Sequence, residues 1–126
     1  MPSDDSYRRL LEFRTRLRKF DAWSRAQAEK VGLTHQQHQL LLVIRGSAEE
    51  PTIRDVAEHL LVKHHTAGEL ADRTQALGLI KRIPDPDDHR RVRLALTDHG
   101  HEVLAQLTEL HVDEVKQLRD WFPFES

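Results

Sequence analysis

The chain has 126 residues, 32% of them charged and only 6% aromatic, with a formal net charge of −2 and no cysteine. That length favours one domain with its own core, the composition is that of a solvated, helix-rich protein, and without thiols there are no disulfides, thiolate metal sites or thiol redox sensors. MPSDDSYRRL carries no apolar signal segment and no apolar run approaches a membrane span, so a cytoplasmic protein with no membrane partner is expected.

Charge is unevenly spread. Residues 1–31 hold eight Lys/Arg against five Asp/Glu, and residues 98–126 hold two against seven. Helices from the two ends can therefore pair, within one chain or between two. Leu10, Phe13, Leu17 and Phe20 recur at helical spacing and predict a long amphipathic helix over roughly 5–30, closed near Gly32. Thr34 caps a second helix with Leu40, Leu41, Val43 and Ile44, ending at Gly46. After the SAEEP turn, Thr52 caps a short helix with Ile53, Val56, Ala57 and Leu60, and Asp55 stands in the capping-box position. The connection LVKH leads to a helix presenting Ala67, Leu70, Ala71, Thr74 and Leu77 on one face, stopped by Gly78. The period then becomes alternating: Leu79, Lys81 and Ile83 against Ile80 and Arg82, then Val92, Leu94 and Leu96 against Arg91, Arg93 and Ala95. This predicts an antiparallel hairpin with one packed and one basic face. Thr97 caps a last long helix bearing Val103, Leu104, Leu107, Leu110 and Leu118.

The fold class that follows is mainly α with a small antiparallel β-hairpin. Residues 52–78 form a helix-turn-helix whose second helix suits a DNA major groove, and the hairpin makes it winged. The hairpin, LIKRIPDPDDHRRVRLALT, admits three readings. A calcium loop fails, because an EF-hand counted from Asp85 needs Gly and Glu where Arg90 and Leu96 stand. A plain surface hairpin remains open, since Pro-Asp turns are common. Against it stands the arginine density at Arg90, Arg91 and Arg93, with Lys81 and Arg82 opposite. Arginine's planar fork suits phosphate and fits a narrow minor groove, and Asp88 can hold Arg90 in one pose.

IPDPDDHRRVRLALTDHG resembles the wing of the MarR (multiple antibiotic resistance regulator) family through Asp88, Arg90, Leu96, Thr97 and Gly100. HHTAGELADRTQALGLIKR resembles that family's recognition helix through Thr66, Asp72, Arg73, Gly78 and Leu79. The likeness runs from about residue 33 to 101, and the outer helices agree in length and pattern only. It implies one domain over 1–126, with a winged helix-turn-helix at 33–97 between dimerisation helices at 5–32 and 98–122. The implied function is a homodimeric regulator of double-stranded DNA, usually a repressor of a palindromic operator relieved by a small effector. The candidate DNA-binding residues are Lys63, His64, His65, Thr66, Gly68, Glu69 and Arg73 on the recognition helix. On the wing they are Lys81, Arg82, Asp88, Arg90 and Arg91. The resemblance also places an effector between the DNA-binding domain and the dimer helices, with Phe20, Trp23, His35 and His38 as candidate ligand-binding residues. An aromatic or phenolic anion would suit them, with Arg16 or Arg45 as counter-charge; as ordinary interface core, Phe20 and Trp23 need no effector at all.

Two positions depart from the family pattern. Glu69 stands where a basic or small polar residue is common, able to accept from cytosine N4 or to repel phosphate, and His89 stands where an Arg is common. Few residues follow the last helix, so a short dimerisation region is expected, with Trp121, Phe122 and Phe124 packing across it or capping the monomer's own core. Among the nine histidines, His35 and His38 share a helix side, but a closed zinc site needs further converging ligands, so no metal and no cofactor is assigned. His64 and His65 suit phosphate or base edges, while His59, His99 and His111 are read as surface residues.

No nucleophile–base pair, phosphate loop or carboxylate pair occurs in a recognisable setting, so an enzyme is not expected. A winged-helix protein-interaction module is the stronger rival, because residues 52–97 carry eight Lys/Arg against seven Asp/Glu.

Overall fold

A computed structural model of the chain describes residues 1–120, as helices α1 (Asp4–Lys30), α2 (His35–Gly46), α3 (Ile53–Leu60), α4 (His64–Ala76) and α5 (Asp98–Asp120), with strands β1 (Ile80–Pro84) and β2 (Val92–Leu96) between α4 and α5. The mainly helical winged architecture is as the sequence predicts. Trp121, Phe122 and Phe124, and the last two positions of the expected 98–122 helix, lie outside the described residues.

Side-chain caps set most helix starts. Thr34 Oγ1 accepts from the Gln37 amide at 3.1 Å while Gln37 Oε1 accepts from the Thr34 amide at 2.9 Å. Thr52 and Asp55 repeat the exchange at 3.2 and 3.0 Å. Each satisfies two amides that a bare helix end would leave open. The amide of Thr52 donates to the Asp55 carboxylate, and this above all holds Asp55 below the usual carboxylate range.

The core sits between α2, α3, α4, the sheet and the first half of α5, and its largest fully buried side chains include Leu40, Leu41, Val56, Ile80, Leu94 and Leu107. Truncating any of these leucines to alanine costs about 2–5 kcal/mol. On α4, Ala67, Leu70, Ala71 and Thr74 face inward, and the buried Thr74 hydroxyl donates to the Leu70 carbonyl at 2.7 Å. Leu77 does not continue that face as expected. It is the C-cap and 48% exposed, because the chain leaves the helix through Gly78 at φ +75°.

Ile80 pairs with Leu96, Arg82 with Leu94 and Pro84 with Val92. Strict alternation fails at the start of β1, where Leu79 and Ile80 are both buried. Leu79 is still part of the turn: its carbonyl accepts from the Thr97 amide at 3.1 Å. The same carbonyl explains Gly100, since a Cβ there would lie 2.0 Å from it. Thr97 secures this corner, its hydroxyl donating to the Gly78 carbonyl at 2.6 Å and accepting from the Gly100 amide at 3.0 Å. The β2 edge is bound to the segment before α3, where the Leu94 amide donates to the Pro51 carbonyl at 2.8 Å and Thr52 bridges Arg93.

Beyond this core, α1 and the second half of α5 keep apolar residues in solvent. Tyr7, Leu10, Leu11 and Leu17 are 38–64% exposed, and Leu110, Val112 and Val115 are 46–48% exposed.

Candidate nucleic-acid interface

Helix α4 buries one side, so its other side carries Lys63, His64, His65, Glu69, Asp72 and Arg73 in solvent, with Thr66 and Gly68 half-buried between the faces. A Cβ on Gly68 would meet nothing within 4 Å, so the helix offers close approach there. The N-cap, Lys63, makes no side-chain cap bond. The first-turn amides of α4 therefore lack the side-chain acceptor that Thr34 and Thr52 give α2 and α3, an arrangement that suits a phosphate oxygen.

The connection LLVK is unusual at Leu61, which adopts φ +56° and is 90% exposed. A left-handed conformation is costly for any residue with a Cβ, and here it supplies the sharp turn that sets α4 against α3.

In the wing, three acidic residues have separate tasks. Asp85 is buried where the tip loop begins: one oxygen accepts from the amides of Asp87 and Asp88 at 2.8 and 3.0 Å, and the other from Arg93 Nε at 2.6 Å. The Asp87 amide first, then Arg93, hold its carboxyl below the usual range, and Asp85 in turn raises the Arg93 guanidinium above its own. Asp88 stands nearer the tip, its Oδ1 accepting from both the amide and Nε of Arg90, at 3.1 and 3.2 Å. Asp87 is exposed. The Arg90 side chain is 92% exposed yet held by this contact.

The basic residues of the hairpin are therefore not equivalent. Lys81, Arg90 and Arg91 face solvent. Arg82, expected with them, lies on the Leu94 side of the sheet and reaches back to α4, binding Asp72 at 2.7 Å and also Gln75. Arg93, one of the arginines that give the hairpin its basic character in sequence, is turned inward. Its side chain is 18% exposed, and Nη1 donates to the Glu50 carbonyl at 2.6 Å. Sequence reasoning missed the Asp85–Arg93 and Asp72–Arg82 pairs, because eight and ten residues separate the partners. The one signal was register: Arg93 stands directly across from the half-buried Ile83.

The four candidate effector residues lie where α1, α2 and α5 meet. Phe20 and Trp23 have ring centroids 6.1 Å apart, and both flank His111, whose ring is tilted against that of His38 with centroids 4.7 Å apart. His111 is not the surface residue expected. Its Nδ1 donates to the Leu107 carbonyl at 2.7 Å, which leaves Nε2 to accept from the buried Ser24 hydroxyl at 2.7 Å. Helical period could have found it, since Leu104, Leu107, His111 and Leu118 share a stripe. Burial first, then the neighbouring His111 and His35, pull His38 down to about 4. His35 holds Gln39 through Nε2 at 2.9 Å, and the Nδ1 atoms of both His35 and His38 are buried without partners among the described residues. Beside His38 and His111 opens an apolar groove of about 320 Å³ bounded by Leu42, Thr108, Val112, Val115 and Lys116. Arg16 shares a smaller hollow with Phe20, whereas Arg45 lines a separate one beside Lys81.

Comparison with known proteins agrees with this geometry. The MarR family model matches residues 31–91. The HTH-type transcriptional regulator PecS of Dickeya dadantii (strain 3937) is 24% identical over 99 residues, which are 77% of this chain. The match spans 60% of the length of that relative. Among solved structures, the MepR–DNA complex from S. aureus superposes with a TM-score of 0.75 at 21% identity, covering 88% of this chain and 82% of that one. A mutant MarR from E. coli complexed with operator DNA gives 0.69 at 26% identity, covering 79% and 71%. Among the described residues, no helix is long and apolar enough to cross a membrane.

Proposed function

We propose that the chain is a winged-helix transcription regulator of the MarR family and that it binds double-stranded DNA as a homodimer, in the cytoplasm, with α4 in the major groove and the wing in the minor groove. The observation that carries this reading is Arg90, a guanidinium in solvent at a hairpin tip yet already oriented by Asp88. An exposed arginine gains little stability from such a pair; a pre-oriented fork is what minor-groove insertion uses. The exposed apolar residues of α1 and α5 support the dimer, since single chains seldom leave such stripes uncovered. A dimer favours a near-palindromic operator. Repression relieved by a small aromatic or phenolic anion is supported by the apolar groove at His38 and His111, where Lys116 supplies a cation; Phe20 and Trp23 stand behind it, packed on His111.

A protein-interaction module is the second reading. It is favoured by Glu69 and Asp72 on the exposed face of α4 and by the near-neutral balance of residues 52–97. Titration of an unrelated duplex at several salt concentrations separates the two. DNA binding predicts a log–log slope near −0.9 for each phosphate contacted. Absence of salt-dependent association would leave the protein-partner reading.

A further inference from the structure

We infer that Arg93 is a positioning residue for the wing, clamping it to the α2–α3 connection so that Arg90 and Arg91 are presented to DNA in one pose. The inference rests on the DNA-binding reading above and assigns Arg93 a task other than touching DNA.

The geometry forms one chain of contacts. Glu50 ends the turn after α2, and its carbonyl accepts from Arg93 Nη1 at 2.6 Å. Through Nε, the same guanidinium binds Asp85 Oδ2 at 2.6 Å. The other oxygen of Asp85 takes the amides of Asp87 and Asp88, which fixes the backbone of the turn. Asp88, so placed, accepts from the amide and Nε of Arg90, and its carbonyl accepts from the Arg91 amide at 2.9 Å. The tip is thus referenced to the body of the domain through one guanidinium. A two-stranded hairpin is marginal alone; the buried Ile80, Leu94 and Leu96, the Leu94–Pro51 and Thr52–Arg93 pairing and the Arg82–Asp72 contact fix its strands to the body, and at the turn Arg93 carries that anchorage on to the tip. Only arginine's fork spans a carboxylate and a carbonyl at once; lysine keeps the charge but is a single point donor. Asp85 and Arg93 are mostly withdrawn from solvent while Arg90 is almost wholly in it, which separates the clamp from the contact.

Two measurements test this on the full chain. The first needs no DNA: amide hydrogen exchange of Asp87, Asp88 and Arg91. In Arg93→Ala and Asp85→Asn these amides should exchange at least about tenfold faster, the sign of a local opening, while amides of α2 and α5 keep their wild-type rates. Unchanged wing exchange overturns the clamp. The second is duplex affinity in two backgrounds. Arg93→Ala in the wild-type chain should weaken binding by about tenfold, within the range of one lost arginine contact. In a chain already carrying Arg90→Ala and Arg91→Ala it should change affinity little, because nothing is left to position. Arg93→Lys should resemble Arg93→Ala more than wild type. An equal loss in both backgrounds, with a further drop of about 0.9 in salt slope, means that Arg93 itself meets a phosphate and overturns the inference. If the wild-type chain binds no duplex, the DNA-binding reading fails, and the exchange rates still decide the clamp.

Discussion

Arg90 and Asp88 should behave as a unit, because the carboxylate fixes the side chain that the proposed mode of binding offers to DNA. Arg90→Ala is expected to weaken binding by about 1–3 kcal/mol, as for one well-formed arginine contact, with thermal stability almost unchanged, since the side chain is 92% exposed. Asp88→Ala removes a negative charge, so simple attraction to phosphate would strengthen binding; loss of the pose should weaken it instead. Affinities measured at one salt concentration decide, and tighter binding by Asp88→Ala would reduce Asp88 to a turn residue. His38 gives a second expectation, in pH. Its folded value is about 4 against 6.5 for the free residue, so the unfolded chain takes up a proton first as pH falls. The stability His38 contributes is complete above pH 6.5 and is lost as pH falls toward 4. The slope between those values is on the order of 1 kcal/mol per pH unit. Asp55 and Asp85, both lowered from 3.8, add their own loss only in more acid solution. Denaturation midpoints between pH 7 and 4.5 should fall less for His38→Gln than for wild type, and parallel curves would contradict the burial of His38.

Among the elements, the turn between α3 and α4 is the one that breaks a local rule. Leu61 has φ +56° and no cover, so its Cβ is strained and its side chain buries almost nothing. Leu61→Gly should therefore stabilise the fold by about 0.5–1 kcal/mol, the relief of left-handed strain less glycine's extra chain entropy. Chemical denaturation measures it, and a clear loss of stability would mean that the leucine makes a contact the isolated chain does not display. Much of the rest was legible in sequence because it is local. Thr34, Thr52 and Thr97 mark helix starts three residues ahead of the amides they cap, and Gly78 marks an end. Leu77 misled because helical period says nothing about where the chain turns out of the helix. The hairpin was legible as a hairpin, but not the division of its arginines between solvent and interior. That division depends on Glu50, Asp72 and Asp85, whose positions only the folded chain brings near.

Across the molecule, the proposed function calls for two copies. The basic α1 and the acidic α5 meet within the chain, where Ser24 binds His111 and Trp23 packs on it. The apolar residues left over, from Tyr7 to Leu17 on α1 and from Leu110 to Val115 on α5, are what a partner would cover. Helical period in the sequence marked Leu10, Leu17 and Leu110 of these, but not Tyr7, Leu11, Val112 or Val115. The sequence could not place His111 in the aromatic cluster, because that position follows from how α5 crosses α1 and α2. A dimer presents two wings and two α4 helices to one duplex. Hydroxyl-radical footprinting of the DNA flanking the chain's own gene is the test with the greatest reach. Two equivalent protected patches, related by a near-palindrome and centred about 10 bp apart, are the expected result, with minor-groove protection outside them that fades in Arg90→Ala. A single unpaired patch, or none at salt low enough for phosphate contacts to form, would contradict a dimeric winged-helix regulator.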